Sequence, residues 1–194
     1  MNNTLPNESK IFEEPTKRAY KYIDPETGQL VIKGVAEIKI PLAITYKLMT
    51  EFEVRHLWDF QFHDFELLQT DGPGDCLMYF GVKTPFIVSN RDFVVRRNIY
   101  ENYRGYDYLM YMNSEETPLK GPRRKYVRGK IIHSCQFMKK VDEETTEISI
   151  CLTSNPGGLI PRAIVKKFSN SLAVDFTRKV LRGYPILFPN GKIE

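Results

Sequence analysis

The sequence is short of most of what chemistry at an active site requires. It has only three histidines (His56, His63, His133) and three cysteines (Cys76, Cys135, Cys151), with no CxxC or Cys/His spacing among them, so no metal site is expected. Odd in number and far apart along the chain, the cysteines read as reduced, buried thiols of an intracellular protein. The patterns GxSxG, HExxH, GK[ST] and GxGxxG are absent, which removes the common hydrolase, metalloprotease and phosphate-loop readings. No cofactor is implied, and the chain reads as a non-enzyme. Net charge is also small: 28 basic and 24 acidic residues leave +4. That is too mild for a dedicated nucleic-acid binder, yet compatible with anionic membrane surfaces. No apolar run approaches a membrane span, and the polar start MNNTLPNESK does not resemble a signal peptide. A cytoplasmic protein with transient membrane association is expected.

What is present is a chain of 194 residues with 42% apolar content, enough for one globular domain with a substantial core. A single tryptophan, Trp58, stands against 11 Tyr and 12 Phe, rings able to fill a core or line a cavity. Residues 1–16 are polar and read as a tail or a short docked segment, residues 17–186 as the domain, and residues 187–194 as a C-terminal tail. DPETG at 24–28 marks a turn between the candidate strands RAYKYI and QLVIKGVAEIKI. PLAITYKLMTEF reads as a helix opened by Pro41, with Ile44, Leu48 and Phe52 on one face. From 62 to 154, turns at DGPGD, NYRGYD and VDEETTE separate long strands, the pattern of an antiparallel meander. Ile164, Val165, Phe168, Leu172, Phe176 and Val180 give an apolar helical face from about Pro161 to Arg182, with Gly183 and Pro185 as the stop. The expected fold is α+β: a curved antiparallel sheet gripping a long C-terminal helix.

Four local features stand out. Arg55 and Asp59 share a helical face around Trp58. Arg before Asp is the weaker order for an exposed pair, so surface helix stabilisation is a poor reason for it. TPFIVSNRDF at 84–93 reads as a compact loop with an apolar tip at Phe86, Ile87 and Val88, its base held by an Arg91–Asp92 pair. NPGGLIP at 155–161 needs glycine for unusual backbone angles or close approach. Arg123, Arg124, Lys125, Arg128 and Lys130 form a basic run, read either as a solvated face or as a patch for anionic headgroups.

Three of these segments, VRHLWD at 54–59, KTPFIVSNRDFVVRR at 83–97 and NPGGLIP at 155–161, occur in that order in a chain that resembles a START domain over residues 17–186. The resemblance is nearest to the phosphatidylcholine-transfer subgroup, although the longer first helix usual in the family is absent. It implies a helix-grip fold around a hydrophobic cavity that holds one lipid and transfers it between membranes. A phospholipid is favoured, with a sterol or ceramide as alternatives. Arg55 and Asp59 would face the headgroup, with Arg55 toward phosphate. Trp58, Phe80, Val82, Phe93 and Ile132 would line the cavity. Phe80, Phe93 and Ile132 fall where the subgroup has Trp, Tyr and Tyr around choline, so one ring and both hydroxyls are lost and the cage is weakened. Pro85, Phe86, Ile87 and Val88 would form a gate against Ile164, Phe168 and Leu172 of the last helix. Arg123, Arg124, Lys125, Arg162, Lys166 and Lys167 would face the membrane. The expected partners are the lipid and, transiently, a membrane surface, with no nucleic acid and a monomeric chain. A lipid sensor acting through a protein partner, or a helix-grip enzyme using Asp59 or His56 as a base, remain as alternatives.

Overall fold

The computed structural model describes residues 9–86, 88–160 and 176–189, the side chains of Phe12 and Val54 excepted. Ten strands and two helices follow one another as β1 (Ser9–Glu14), β2 (Lys17–Ile23), β3 (Leu30–Ile38), α1 (Leu42–Thr50), β4 (Phe62–Thr70), β5 (Cys76–Val82), β6 (Asn90–Tyr103), β7 (Tyr106–Ser114), β8 (Tyr126–Arg128), β9 (Lys130–Asp142), β10 (Thr145–Asn155) and α2 (176–187), with a 3₁₀ helix at Phe52–Leu57. One open sheet runs in the order β1-β2-β3-β10-β9-β7-β6-β5-β4. Neighbours are antiparallel, apart from the three-residue β8, which lies parallel to the start of β6. The meander expected over 62–154 therefore forms. It closes onto the N-terminal strands where β10 pairs with β3, from Thr153↔Val31 to Thr146↔Ile38.

The polar N-terminal stretch supplies an edge strand. β1 pairs with β2 and carries an irregularity between Lys10 and Phe12. At the far edge, β4 shows two register shifts, between His63 and Glu66 and between Leu67 and Gln69. Strand pairing also brings together what the sequence separates: Cys135 and Cys151 stand directly opposite each other on β9 and β10. Both are free and half-buried; only Cys76 is fully buried.

α1 opens as the sequence suggests, with the carbonyl of Pro41 accepting from Thr45 N–H at 2.9 Å. Proline costs nothing there because its missing N–H would have no helical partner. The helix buries Ile44, Leu48 and Met49 against β9 and β10, and Phe52 continues that face into the 3₁₀ helix. α2 differs from expectation at its end. The helix passes through Gly183 and Pro185 to residue 187, and Phe188 N–H still bonds Tyr184 O at 2.9 Å. Gly183 acts by close approach rather than as a terminator: a Cβ there would lie 2.7 Å from Cγ of the Trp58 ring. Within the described part of α2, Val180 is buried and Phe176 half-buried. The expected gate residues Ile87, Ile164, Phe168 and Leu172, and the basic residues Arg162, Lys166 and Lys167, lie outside the described residues.

Candidate functional site: a charged end in an apolar cavity

Between the concave face of the sheet and α2 lies a cavity of about 360 Å³. The period-2 alternation of a strand supplies its wall, since every second side chain points to the same face. From β10 come Ile148, Ile150 and Leu152, from β5 Phe80 and Val82, from β6 Phe93, and from α2 Phe176. Phe80, Val82 and Phe93, expected to line the cavity, lie on this wall. Ile132 does not. Thr153 pairs with His133 but Ser154 with Ile131, so Ile132 is the extra, bulged residue of β9, and Ile131 takes the wall position. Trp58 is also off the wall. It is completely buried beneath Gly183, where it supports α2.

The charged end is built by the 3₁₀ helix and α2. Arg55 Nε and Nη2 donate to Asp59 Oδ2, each at 3.4 Å. Lys179 of α2 adds an ion pair to Asp59 Oδ1 at 2.9 Å and a hydrogen bond to Gln61 Oε1 at 2.7 Å. Backbone folding presets the carboxylate, because Asp59 N–H bonds Arg55 O at 2.8 Å. Burial pushes the Asp59 carboxyl up, but Arg55 and Lys179 outweigh it and hold the group below the ordinary carboxylate range. Burial draws the Arg55 guanidinium down, only partly offset by Asp59. The same guanidinium lies over three rings, 5.3 Å from the centre of Phe52, 5.0 Å from Trp58 and 5.4 Å from Phe62. Arg55 Nη1 makes no hydrogen bond among the described residues.

Beside this cluster, where Lys83 N–H bonds Gln61 O at 2.8 Å, the 84–90 loop is organised by Thr84. Its hydroxyl donates to Val88 O at 2.7 Å and Ser89 O at 2.9 Å, and its N–H to Asn90 Oδ1 at 3.1 Å. Pro85 and Val88 face the cavity, while Phe86 is fully exposed, as is Leu159 beyond the Gly-Gly turn. The expected Arg91–Asp92 pair does not form, because consecutive strand residues point to opposite faces. Asp92 turns outward to Arg128, at 3.0 and 3.2 Å. Arg91 turns inward, only 4% exposed, and donates to Ser89 O, to Pro156 O at 3.2 Å and to Gly157 O at 3.3 Å. Gly157 and Gly158 have φ of 66° and 61°, and a Cβ on Gly157 would come within 2.7 Å of Arg128 O. The basic run is largely tied down: Arg123 pairs with Asp64 at 3.1 Å, Arg128 with Asp92 and Lys130 with Glu116 at 2.9 Å. Arg124 and Lys125 are exposed and unpaired among the described residues.

Lys179, Gln61, Arg91 and Gln136 are wall residues that sequence reasoning missed. Arg91 had a readable signal, since it shares strand parity with Phe93. Gln136 is buried; its Nε2 donates to Ser134 Oγ at 3.3 Å, and its Oε1 has no partner among the described residues. Among those residues no cluster of three or more His, Cys, Asp or Glu could hold a metal, and no helix is long and apolar enough to cross a membrane.

The sequence matches the family model described as START domain over residues 9–184. Human phosphatidylcholine transfer protein is 26% identical over 168 residues, which cover 84% of this chain and 77% of that protein. Mouse START domain-containing protein 10 is 24% identical over 154 residues, 79% of this chain and 52% of that relative. The crystal structure of human STARD10 superposes with a TM-score of 0.83 at 18% identity, covering 96% of this chain and 76% of that one. The Zhui aromatase/cyclase from Streptomyces sp. R1128 has the same fold at a TM-score of 0.58 and 14% identity, covering 84% of this chain and 98% of that one.

Proposed function

Because the chain belongs to the START domain family, we propose that it binds one lipid in the cavity between sheet and α2 and carries it between membranes through the cytoplasm. The observation that carries this reading is the wall itself: aliphatic and phenyl groups over most of its extent, with a buried charged cluster at Arg55, Asp59 and Lys179. Acyl chains leaving water gain about 0.8 kcal/mol per methylene, and a membrane offers the same burial, so exchange is close to balanced. Arg55 suits a phosphate oxygen because a guanidinium presents several donors in a fixed plane, and Nη1 is free to do so among the described residues. Sterol and ceramide lack that phosphate and offer Arg55 only neutral hydroxyl or amide oxygens.

The gate in this reading is the 84–90 loop together with the last helix. Phe86 and Leu159, both fully exposed, enter the apolar layer of a membrane while the loop swings away from the cavity. Asp59 is poorly suited to act as a catalytic base, since two cations hold its carboxylate ionised. His56 is exposed and occupied with Glu53 O at 2.9 Å. No chemical step is therefore assigned.

Native mass spectrometry of the freshly purified chain, with extraction of the bound lipid, tests the binding half of this proposal. One phospholipid per chain is the expected result; a bound sterol would remove the phosphate role of Arg55. Vesicle-to-vesicle transfer tests the other half. Cross-linking the 84–90 loop to the last helix should stop transfer with lipid still bound, and undiminished transfer would remove the gate.

A further inference from the structure

We infer that the cavity selects a lipid headgroup of one net negative charge, a phosphodiester or carboxylate bearing no cation, over a zwitterionic one. The inference rests on the lipid-carrier reading above and concerns which headgroup that carrier takes.

The first argument is charge count. Among the described residues Asp59 is shared by two cations, Arg55 and Lys179, so the inner cluster carries one more positive charge than negative. Arg91 adds a second, being 4% exposed and satisfied by carbonyl oxygens, with no carboxylate paired to it among the described residues. Among the described wall residues that are buried or half-buried, Lys17, Arg55, Arg91 and Lys179 are basic and Asp59 is acidic. Buried charge is costly unless it is paired. A ligand with one negative charge supplies the missing partner; a zwitterion brings a further cation into a wall already rich in them.

The second argument is that the ring faces are taken. A quaternary ammonium is held by the negative faces of aromatic rings. Here the faces of Phe52, Trp58 and Phe62 are turned to the protein's own guanidinium at Arg55. Phe80 stacks on Phe62 at 5.1 Å and on Phe93 at 5.4 Å, both at 28° between planes, so its faces are covered by neighbouring rings. At the bulge, an aliphatic side chain, Ile131, holds the wall. Among the rings next to Arg55, the cation–π capacity is spent within the protein, on the residue that would meet the anion.

The test uses the full chain and one vesicle population, so that surface charge is common to every lipid. Vesicles containing equal amounts of dioleoyl phosphatidylglycerol, dioleoyl phosphatidylcholine, dioleoylglycerol and oleate are incubated with the protein, which is then repurified and its bound lipids quantified. Phosphatidylglycerol exceeding phosphatidylcholine by ~10-fold, the ~1.4 kcal/mol scale of one charge contact, is the expected result and marks a phosphodiester ligand. Oleate in similar excess supports the same charge rule and marks a carboxylate ligand. Phosphatidylcholine or dioleoylglycerol bound as well as either anion overturns the inference and leaves the carrier standing. No lipid bound at all overturns the carrier reading and this inference with it. In Lys179→Gln the anion-to-phosphatidylcholine ratio should fall by ~3-fold or more; a folded variant with an unchanged ratio removes Lys179 from the selection.

Discussion

Arg55 and Arg91 line the same cavity, yet Arg55 lies against a carboxylate and three aromatic faces, whereas Arg91 is held, among the described residues, by backbone carbonyls. The first environment consists of side chains brought in by the 3₁₀ helix and α2, and its charge state follows that of Asp59. The second consists of main chain from the 84–90 loop and the Pro156–Gly157 turn, and its partners cannot ionise. One arginine is therefore suited to meeting a ligand's charge. The other fastens together the two segments that border the opening. Burial alone would have placed them in a single class; their acceptors separate them.

Removing the one ionisable acceptor should give the largest effect. Asp59→Asn leaves Arg55 and Lys179 without a counter-charge and is expected to cost about 3–5 kcal/mol in urea unfolding of the lipid-free chain. The pH dependence has a defined sign. The Asp59 carboxyl is held below its unfolded value, so the stability it contributes is present above pH ~4 and is lost as pH falls through the folded value. The variant should therefore lack that part of the acid-denaturation limb. An unchanged acid profile in Asp59→Asn would break the comparison.

Arg91→Met keeps the aliphatic stem but abandons three carbonyls, and about 2–3 kcal/mol should be lost. Because those acceptors do not titrate near neutrality, the loss should be the same at pH 5 and pH 8, which sharpens the contrast with Asp59. Hydrogen exchange should rise locally around Ser89 and Gly157. A loss that varies with pH would mean that Arg91 has an ionisable partner after all.

Gly183→Ala tests whether α2 must lie flat on Trp58 to bring Lys179 to Asp59. The gain in helix propensity, ~1 kcal/mol, is set against overpacking of an indole that has no room to yield, so a net loss of about 1–2 kcal/mol is expected. The Trp58 fluorescence maximum should shift as well. Smallest in stability are Phe86→Ser and Leu159→Ser, within ~0.5 kcal/mol because both side chains are fully exposed. Transfer between vesicles should nevertheless slow in both, since the apolar contact with the membrane is gone. Unslowed transfer would take these two residues out of the gate.

The strands between 62 and 154 were legible because turn residues recur between long β-prone runs, and the Arg55–Asp59 spacing was legible because four residues make roughly one helical turn. Other features were hidden for physical reasons. SKIFEE has too few apolar residues to announce a strand, yet an edge position needs only backbone pairing on one side. The bulge at Ile132 has no residue signature, and one extra residue exchanged which isoleucine faces the cavity. Gly183 carried the ordinary mark of a helix end; only the position of Trp58, distant in sequence, makes it a contact glycine. Lys179 lies beside the apolar face of α2, and its closeness to Asp59 is a fact of tertiary packing that periodicity does not contain. The inward turn of Arg91, by contrast, could have been read from strand parity with Phe93.

A sheet that wraps a cavity without closing leaves two rims of unpaired backbone, the usual template for strand addition by a second copy. At one rim, β1 is six residues long, breaks register between Lys10 and Phe12, carries Lys10, Glu13 and Glu14, and is followed by Pro15. At the other, β4 slips register twice and bends at Asp64, whose φ is 53°. Neither rim offers a long, flat ladder of free N–H and C=O groups. The irregular edges let the sheet stay open for a ligand while resisting runaway strand-by-strand assembly, so a concentrated, empty chain should remain dispersed.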